Sequence, residues 1–336
     1  MAEKVKWGIL GNATIARVCV IPAIQKSGNG IVHALATRSP AHATQVATEH
    51  GIQQVYDSYD ALLYDPEIEV IYNPLPNHLH HPWTLKALRE GKHVLCEKPM
   101  ACNRDEAQKM AHEAANTGRL LMEAFTYRFH PRSQRIKQMV AEGLIGKPCL
   151  VRAAFCFHIG EELLKSSDNI RMKPEMGGGA LLDVGCYGVS VARWLLDREP
   201  TQVQAQAVYH PRGVDVHVVG TLRFPGDILA TLEASFITAL QQTYTVIGST
   251  GAIELPHDAF IPWEKDAVFT LRNRNEELGK EHLIPGVDEY QLMVEHFAGA
   301  VREGKPLAFQ PEESVCNMQV LDALAEAARS GKTVVL

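Results

Sequence analysis

Lys98, Asp183 and Tyr187 stand out by type and by what surrounds them. Lys98 lies in Cys96-Glu97-Lys98-Pro99, directly after an apolar run that begins at Val94, and Pro99 stiffens the backbone behind it. A lysine there is either a solvated surface residue, its usual fate, or an ammonium held in a cleft. In a cleft it would lower the pKa of a neighbouring phenol or substrate hydroxyl. Asp183 and Tyr187 are four apart and follow Gly177-Gly178-Gly179, a run that permits close backbone approach. On a helix they project from one face. Taken singly, Asp183 reads as a helix N-cap and Tyr187 as a packing aromatic. Taken together they form a carboxylate and a phenol that, with a cation near, can move a proton on or off a hydroxyl. No adjacent base marks Cys96 or Cys186 as a nucleophile.

A second signal concerns phosphate. Gly11-Asn12-Ala13-Thr14-Ile15-Ala16 ends a strand-like run and opens a helix-like one. Gly11, Ala13 and Ala16 occupy the positions of G-x-G-x-x-G/A, where the first allows a tight turn, the second close approach of a pyrophosphate and the third helix–strand packing. Ala13 in place of glycine is a departure, and the motif alone also fits, less well, a glycine that merely ends a strand. Its place after the first strand of a βαβ unit favours a dinucleotide. The second strand ends Ala36-Thr37-Arg38-Ser39. With no carboxylate for a ribose 2′-hydroxyl, and with Thr37, Arg38 and Ser39 offering a guanidinium and two hydroxyls, NADP is favoured and NAD is the alternative.

These residues need a frame. Strand-like runs at Val5–Leu10, Ile31–Ala36, Val70–Pro74, Val94–Glu97 and Leu120–Ala124 alternate with helical spacing at Ile15–Ile24, Ala41–His50, Thr84–Arg89 and Arg104–Asn116. Such alternation predicts a Rossmann-type doubly wound parallel sheet over residues 1–125. Beyond it, period-two runs at Leu150–His158, Val203–Tyr209, Val218–Phe224, Leu229–Ile237 and Tyr244–Ile247 predict a large, mainly antiparallel open sheet. Helical patterns at Glu289–Arg302 and Glu312–Arg329 complete an α+β domain over 126–336. The expected fold class is α/β followed by α+β, with the active site between the domains.

Composition narrows the partners. Formal net charge is -6 over 336 residues and no segment concentrates Lys and Arg, which argues against nucleic acid or an anionic membrane. No apolar run looks long enough for a membrane span. Seven cysteines without a CxxC pair read as reduced thiols in the cytoplasm. His78, His80 and His81 beside Asn77 lack the spacing and partners of a zinc site, so no metal is expected.

The ordered motifs resemble the Gfo/Idh/MocA oxidoreductases over essentially the whole chain. They are the Gly11 turn, Pro74-Leu75-Pro76-Asn77-His78-Leu79-His80, Glu97-Lys98-Pro99 and Gly177 through Tyr187. Within the family, Met122 through Pro131 is most similar to NADP-dependent D-xylose 1-dehydrogenases and dimeric dihydrodiol dehydrogenases. The resemblance implies Lys98 beside the substrate carbonyl, Tyr187 as acid/base and Asp183 on a substrate hydroxyl. It implies that Gly11, Asn12, Ala13, Thr14, Ile15, Pro74, Leu75, Asn77, His80 and Glu97 hold the cofactor. Arg171 either reaches the cofactor or makes an exposed loop salt bridge, while Glu123, Tyr127 and Phe157 are candidates for the substrate pocket. The expected activity is hydride transfer between NADP and a carbon of a sugar or related diol. A ketoreductase of a modified or nucleotide-linked sugar and a non-catalytic NADP-binding regulator are the alternatives. By the same resemblance the outer face of the second sheet forms an oligomer interface, which implies a homodimer or dimer of dimers.

Overall fold

A computed structural model describes residues 3–37, 40–276 and 278–336. Its contacts gather into two compact units: residues 1–125 with 288–315, and 126–287 with 316–336.

In the first unit, among the described residues, six strands pair in parallel in the order β3-β2-β1-β4-β5-β6. They are β1 (Val5–Leu10), β2 (Gly30–Ala36), β3 (Gln54–Tyr56), β4 (Val70–Asn73), β5 (His93–Cys96) and β6 (Leu121–Glu123). This is the doubly wound order, with its reversal between β1 and β4. The strand not foreseen is β3, three residues long and largely exposed, too short and too polar for an apolar pattern. A π turn (Ala16–Val20) runs into α1 (Ile21–Lys26) after β1, and α2 (Pro40–His50) and α3 (Tyr59–Leu63) flank β3. Helix α4 (Asn77–Arg89) starts well before its apolar periodicity, because its first turns are histidine-rich and carry Pro82. Helix α5 (Arg104–Thr117) is capped by Asn103, which accepts from the Glu106 N–H, and is stopped by Gly118 at φ 63°.

In the second unit, a helical turn opens α6 (Pro131–Ala141), and β7 (Pro148–Cys156) enters a sheet whose order is β14-β13-β12-β11-β7-β10-β9-β8-β15. A short α7 (Glu161–Lys165) and a long buried α8 (Cys186–Leu196) precede β8 (Gln202–Tyr209), β9 (Asp215–Phe224), β10 (Ile228–Ser235), β11 (Gln241–Gly248) and β12 (Gly251–Leu255). Then come β13 (Ala267–Asn273) and β14 (Lys280–Ile284), with β15 (Val334–Val335) at the far edge. Pairing is antiparallel except between β7 and β10. Helix α8 lies on the sheet at Gly188, where a Cβ would stand 3.0 Å from the Leu232 Cβ. Ile228, Ala230, Leu232 and Ala234 of β10 face that core, whereas Leu229 is half exposed on the other face.

Two expectations change. The second domain was expected to run unbroken from 126 to 336, yet helix α9 (Glu289–Glu303) gathers with the first unit. Phe297 packs on Trp7 with ring centroids 5.8 Å apart, Asn29 donates to the Glu295 carbonyl at 2.8 Å, and Arg302 pairs with Glu69 at 2.8 Å. An amphipathic helix shows that it will be buried, not on which sheet. Helix α10 (Pro311–Ser330) follows it. The stretch Pro174–Leu196 is also long and apolar enough, by length and composition, to cross a membrane, which the sequence reading passed over. It runs from the turn at Pro174 through the glycine run and a π turn into α8, and 83% of its most apolar window is buried inside the protein.

Candidate active site

Each unit carries one cluster of the residues singled out above. In the first unit they gather at the carboxyl ends of β1, β4, β5 and β6. Gly11 takes φ 79°, a left-handed conformation that strains any side chain, and a Cβ there would also press on the tip of Leu75 at 2.9 Å. Its N–H donates to the Ala36 carbonyl at 2.7 Å. The glycine turn, the Pro74–Pro76 loop and the end of β2 are thus fastened together at the strand-order reversal, where open α/β sheets bind ligands. Asn12, Ala13 and Ile15 are half-buried and Thr14 exposed at the start of the following helix. This fits a dinucleotide: a left-handed glycine, small residues and a helix N-terminus together. Thr37 is buried, its N–H on the Tyr56 carbonyl at 3.2 Å, while Arg38 and Ser39 lie outside the described residues.

Behind the second loop, buried Asn73 donates to the His80 carbonyl and to Thr84, both at 3.2 Å. Asn77 opens α4, half-buried. His80 is fully buried, with Nδ1 2.9 Å from the Pro99 carbonyl and Nε2 2.7 Å from the Leu75 carbonyl. Burial pulls its pKa down to about 4, so the neutral ring donates to one carbonyl at a time. His80 therefore sits packed between two loops and donates to one of them, where the family resemblance had implied a place beside the cofactor. The Lys98–Pro99 peptide is cis. Glu97 receives the Tyr72 hydroxyl at 2.6 Å and the Lys98 N–H at 3.2 Å, and its own N–H reaches the Asn73 carbonyl at 3.0 Å. Lys98 is half-buried. Glu123, expected in a substrate pocket, is buried, and its Oε1 accepts from the Met100 N–H at 2.8 Å. Lys98 thus stands on a loop held by Glu97, His80 and Glu123.

In the second unit, Gly177 and Gly179 take φ 74° and 112°. A Cβ on Gly178 would stand 2.6 Å from the Arg171 carbonyl, and one on Gly179 would overlap the Asp215 carboxylate. The chain then winds through a π turn (Leu181–Gly185) into α8. Asp183 and Tyr187 therefore do not sit one α-turn apart, as their spacing suggested; the wider turn shifts one against the other. Such turns recur at functional sites. Asp183 is gripped by Arg171, Nε to Oδ2 at 2.6 Å. Of the two readings for Arg171, the structure shows a salt bridge, and its partner is the proposed substrate ligand.

Tyr187 is buried among aromatics, its ring centroid 5.1 Å from those of Phe155 and Phe260 and 6.0 Å from Tyr127. Tyr127 was expected against substrate, but it is 1% exposed and its hydroxyl lies 2.8 Å from Ser190 Oγ. It buttresses Tyr187 from behind. Phe157 is half-buried against Phe236, at 5.6 Å between centroids. Tyr72, Asn73 and Asp215 went unnoticed in the sequence. Only Asn73, next to Pro74, adjoins a motif.

A parallel 3-2-1-4-5-6 sheet with a left-handed glycine at its reversal, followed by a large mixed sheet, defines a two-part dinucleotide-binding oxidoreductase. The chain belongs to the GFO/IDH/MocA family: the model for the oxidoreductase family's NAD-binding Rossmann fold matches residues 5–125, and that for the GFO/IDH/MocA C-terminal domain matches 133–254. It is 38% identical to D-xylose 1-dehydrogenase (NADP(+)) 2 of Haloferax volcanii over 98% of this chain and 99% of that one. It is 35% identical to trans-1,2-dihydrobenzene-1,2-diol dehydrogenase of Danio rerio over 76% of each. The structure of a 3-ketoreductase from Actinomadura kijaniata with TDP-benzene and NADP matches at a TM-score of 0.88 and 29% identity, covering 97% and 98% of the two chains.

Proposed function

We propose that the protein moves a hydride between NADP and a hydroxyl- or carbonyl-bearing carbon of an aldose or vicinal diol. The observation that carries this reading is the support of Lys98: a cationic side chain at the carboxyl edge of a dinucleotide-type sheet, on a loop pinned by Glu97, His80 and Glu123. The similarity to NADP-linked xylose and dihydrodiol dehydrogenases supports the substrate class.

When bound, the nicotinamide supplies the hydride acceptor or donor. Gly11, Asn12, Ala13, Thr14 and Ile15 would hold the pyrophosphate, Arg38 with Thr37 and Ser39 the 2′-phosphate, and Pro74, Leu75, Asn77 and Glu97 the nicotinamide side. In oxidation, Tyr187 takes the proton of the reacting hydroxyl, and in reduction it returns it. A phenol is a poor base at neutral pH unless a cation lowers its pKa, and the family resemblance assigns that role to Lys98. Asp183, oriented by Arg171, accepts from a neighbouring substrate hydroxyl, which is why the substrate carries more than one. Phe157 lines the sugar's apolar face.

The test follows reduced-nicotinamide absorbance with NADP and NAD across a panel of aldoses, polyols and diols. The expected result is turnover of at least one with preference for NADP, and loss of that preference in Arg38→Ala. No turnover on the panel overturns the assignment. The match to the 3-ketoreductase carries a second reading, reduction of a nucleotide-linked keto sugar; turnover of nucleotide-linked sugars alone would select it.

Half-exposed Val208, Val219 and Leu229 on the outer sheet face support a homodimer or dimer of dimers, checked by light scattering, where a monomer refutes it. Seven cysteines without a CxxC pair support a reducing, cytoplasmic location.

A further inference from the structure

We propose that Asp215 is a positioning residue: its carboxylate fixes the start of the segment that carries Asp183 and Tyr187, and so sets where those side chains stand. The proposal rests on the reading of Asp183 and Tyr187 given above. Asp215 heads β9 and has no motif around it. Its Oδ2 accepts from the Leu181 N–H at 2.7 Å, and its carboxylate also takes the Ala180 N–H. These are N–H groups at the start of a helical segment, which lack a partner within the helix. A charged acceptor from another strand satisfies them and complements the helix dipole.

The anchor is rigid. Strand β9 is paired on both sides, by β8 and by β10. Val214 and Val216, on either side of Asp215, are buried in one apolar cluster with Leu164 and Met172. Met172 follows Arg171, so this cluster also seats the turn that grips Asp183. The glycine run closes the arrangement. Gly179 N–H donates to the Arg171 carbonyl at 3.0 Å, and Gly179 carbonyl accepts from the Asp183 N–H at 3.1 Å. A side chain at Gly179 would strike the Asp215 carboxylate. One carboxylate thus stands where the Arg171 turn, the glycine run and the Asp183–Tyr187 segment meet.

Burial pushes the Asp215 pKa up, against the backbone N–H groups that pull it down. A carboxyl raised in the folded state stabilises fully only below its unfolded pKa, and that contribution is lost as pH rises through the folded value. At neutral pH burial therefore offsets what the ionised form gains from those N–H groups.

The test compares Asp215→Asn and Asp215→Ala with wild type in the full chain, with Asp227→Asn, in an exposed turn, as control. Amide hydrogen exchange should speed about tenfold or more at residues 180–183 in Asp215→Ala, and less in Asp215→Asn, which keeps an acceptor. On the best panel substrate, kcat should fall and KM rise, with kcat/KM down roughly tenfold or more in Asp215→Ala. The Kd for NADP should stay within about twofold, and Asp215→Asn should melt within a few degrees of wild type. Unchanged exchange overturns the proposal, as does faster exchange with unchanged kinetics. Loss of folding in both variants overturns it in favour of a plain structural role. If wild type turns over nothing on the panel, the functional reading fails by itself, and the hold of Asp215 on residues 180–183 still stands or falls on exchange.

Discussion

Arg171 and Asp183 form an ion pair across the glycine run, with Nε donating to Oδ2 at 2.6 Å. Arg171 is held near full charge first by the Asp183 carboxylate, against the cost of its burial. The pair fixes the rotamer of the carboxylate that we assign to a substrate hydroxyl. Arg171 is partly exposed, so solvent screens the interaction to about 1 kcal/mol. Arg171→Ala should accordingly raise the substrate KM about fivefold, with a smaller change in kcat. Steady-state kinetics decide it, and an unchanged KM would remove Asp183 from substrate binding.

Lys98→Ala and Tyr187→Phe probe the acid/base pair. Each should lower kcat by about 10²–10⁴, the usual range for positioned proton transfer. NADP affinity, measured by quenching of protein fluorescence, should change little in Tyr187→Phe. Full activity in either variant would refute the assigned role.

Tyr72 is fully buried and its phenol is pushed well above its ordinary pKa, by burial first and by Glu97 next, so it stays a donor. Tyr72→Phe removes the hydroxyl that Glu97 receives at 2.6 Å. Leaving the half-buried Glu97 carboxylate one donor short costs about 1 kcal/mol, the low end of the range for a fully buried group. The variant should unfold at lower urea and show a several-fold lower kcat, because Glu97 also holds the Lys98 N–H. A variant with wild-type stability and rate would show that Tyr72 is a bystander.

The buried imidazoles set an acid limit. Burial lowers the pKa of His80 and of His130 to about 4. Between the ordinary value of 6.5 and that value the unfolded chain binds more protons than the folded one, so stability falls as pH falls through this window. For His80 alone the loss amounts to ~3 kcal/mol. Urea unfolding at a series of pH values should show this slope, reduced in His80→Gln. A stability that is flat from neutral pH down to 4 would contradict it.

Gly179→Ala tests the close approach directly. With φ 112° and the Asp215 carboxylate in the way, even a methyl group must displace the segment. The expected result is a large loss of activity and a lowered Tm, whereas the same change at Gly143, which has open space around it, should cost stability through its φ of 76° but leave kcat alone.

Much of this protein was determined by the sequence itself. The alternation of apolar runs and helical spacing required a parallel sheet, and period-two runs required an open one, because burial of one face leaves a local trace. The glycine turn, Glu97-Lys98 and Asp183 with Tyr187 were equally visible as candidates, since the chemistry proposed for them lies in residue types at short spacings. Tertiary structure decided the rest. It put α9 on the first sheet, since an apolar helix face does not say what will cover it. It wound a π turn through Leu181–Gly185, where spacing alone implied an α-turn. It buried His80, Glu123 and Tyr127, for which the sequence had implied ligand contacts, and it brought Asp215 from a distant strand to the start of the segment that carries Asp183 and Tyr187. Those relations join residues far apart in the chain, and only packing brings their hydrogen-bonding groups together.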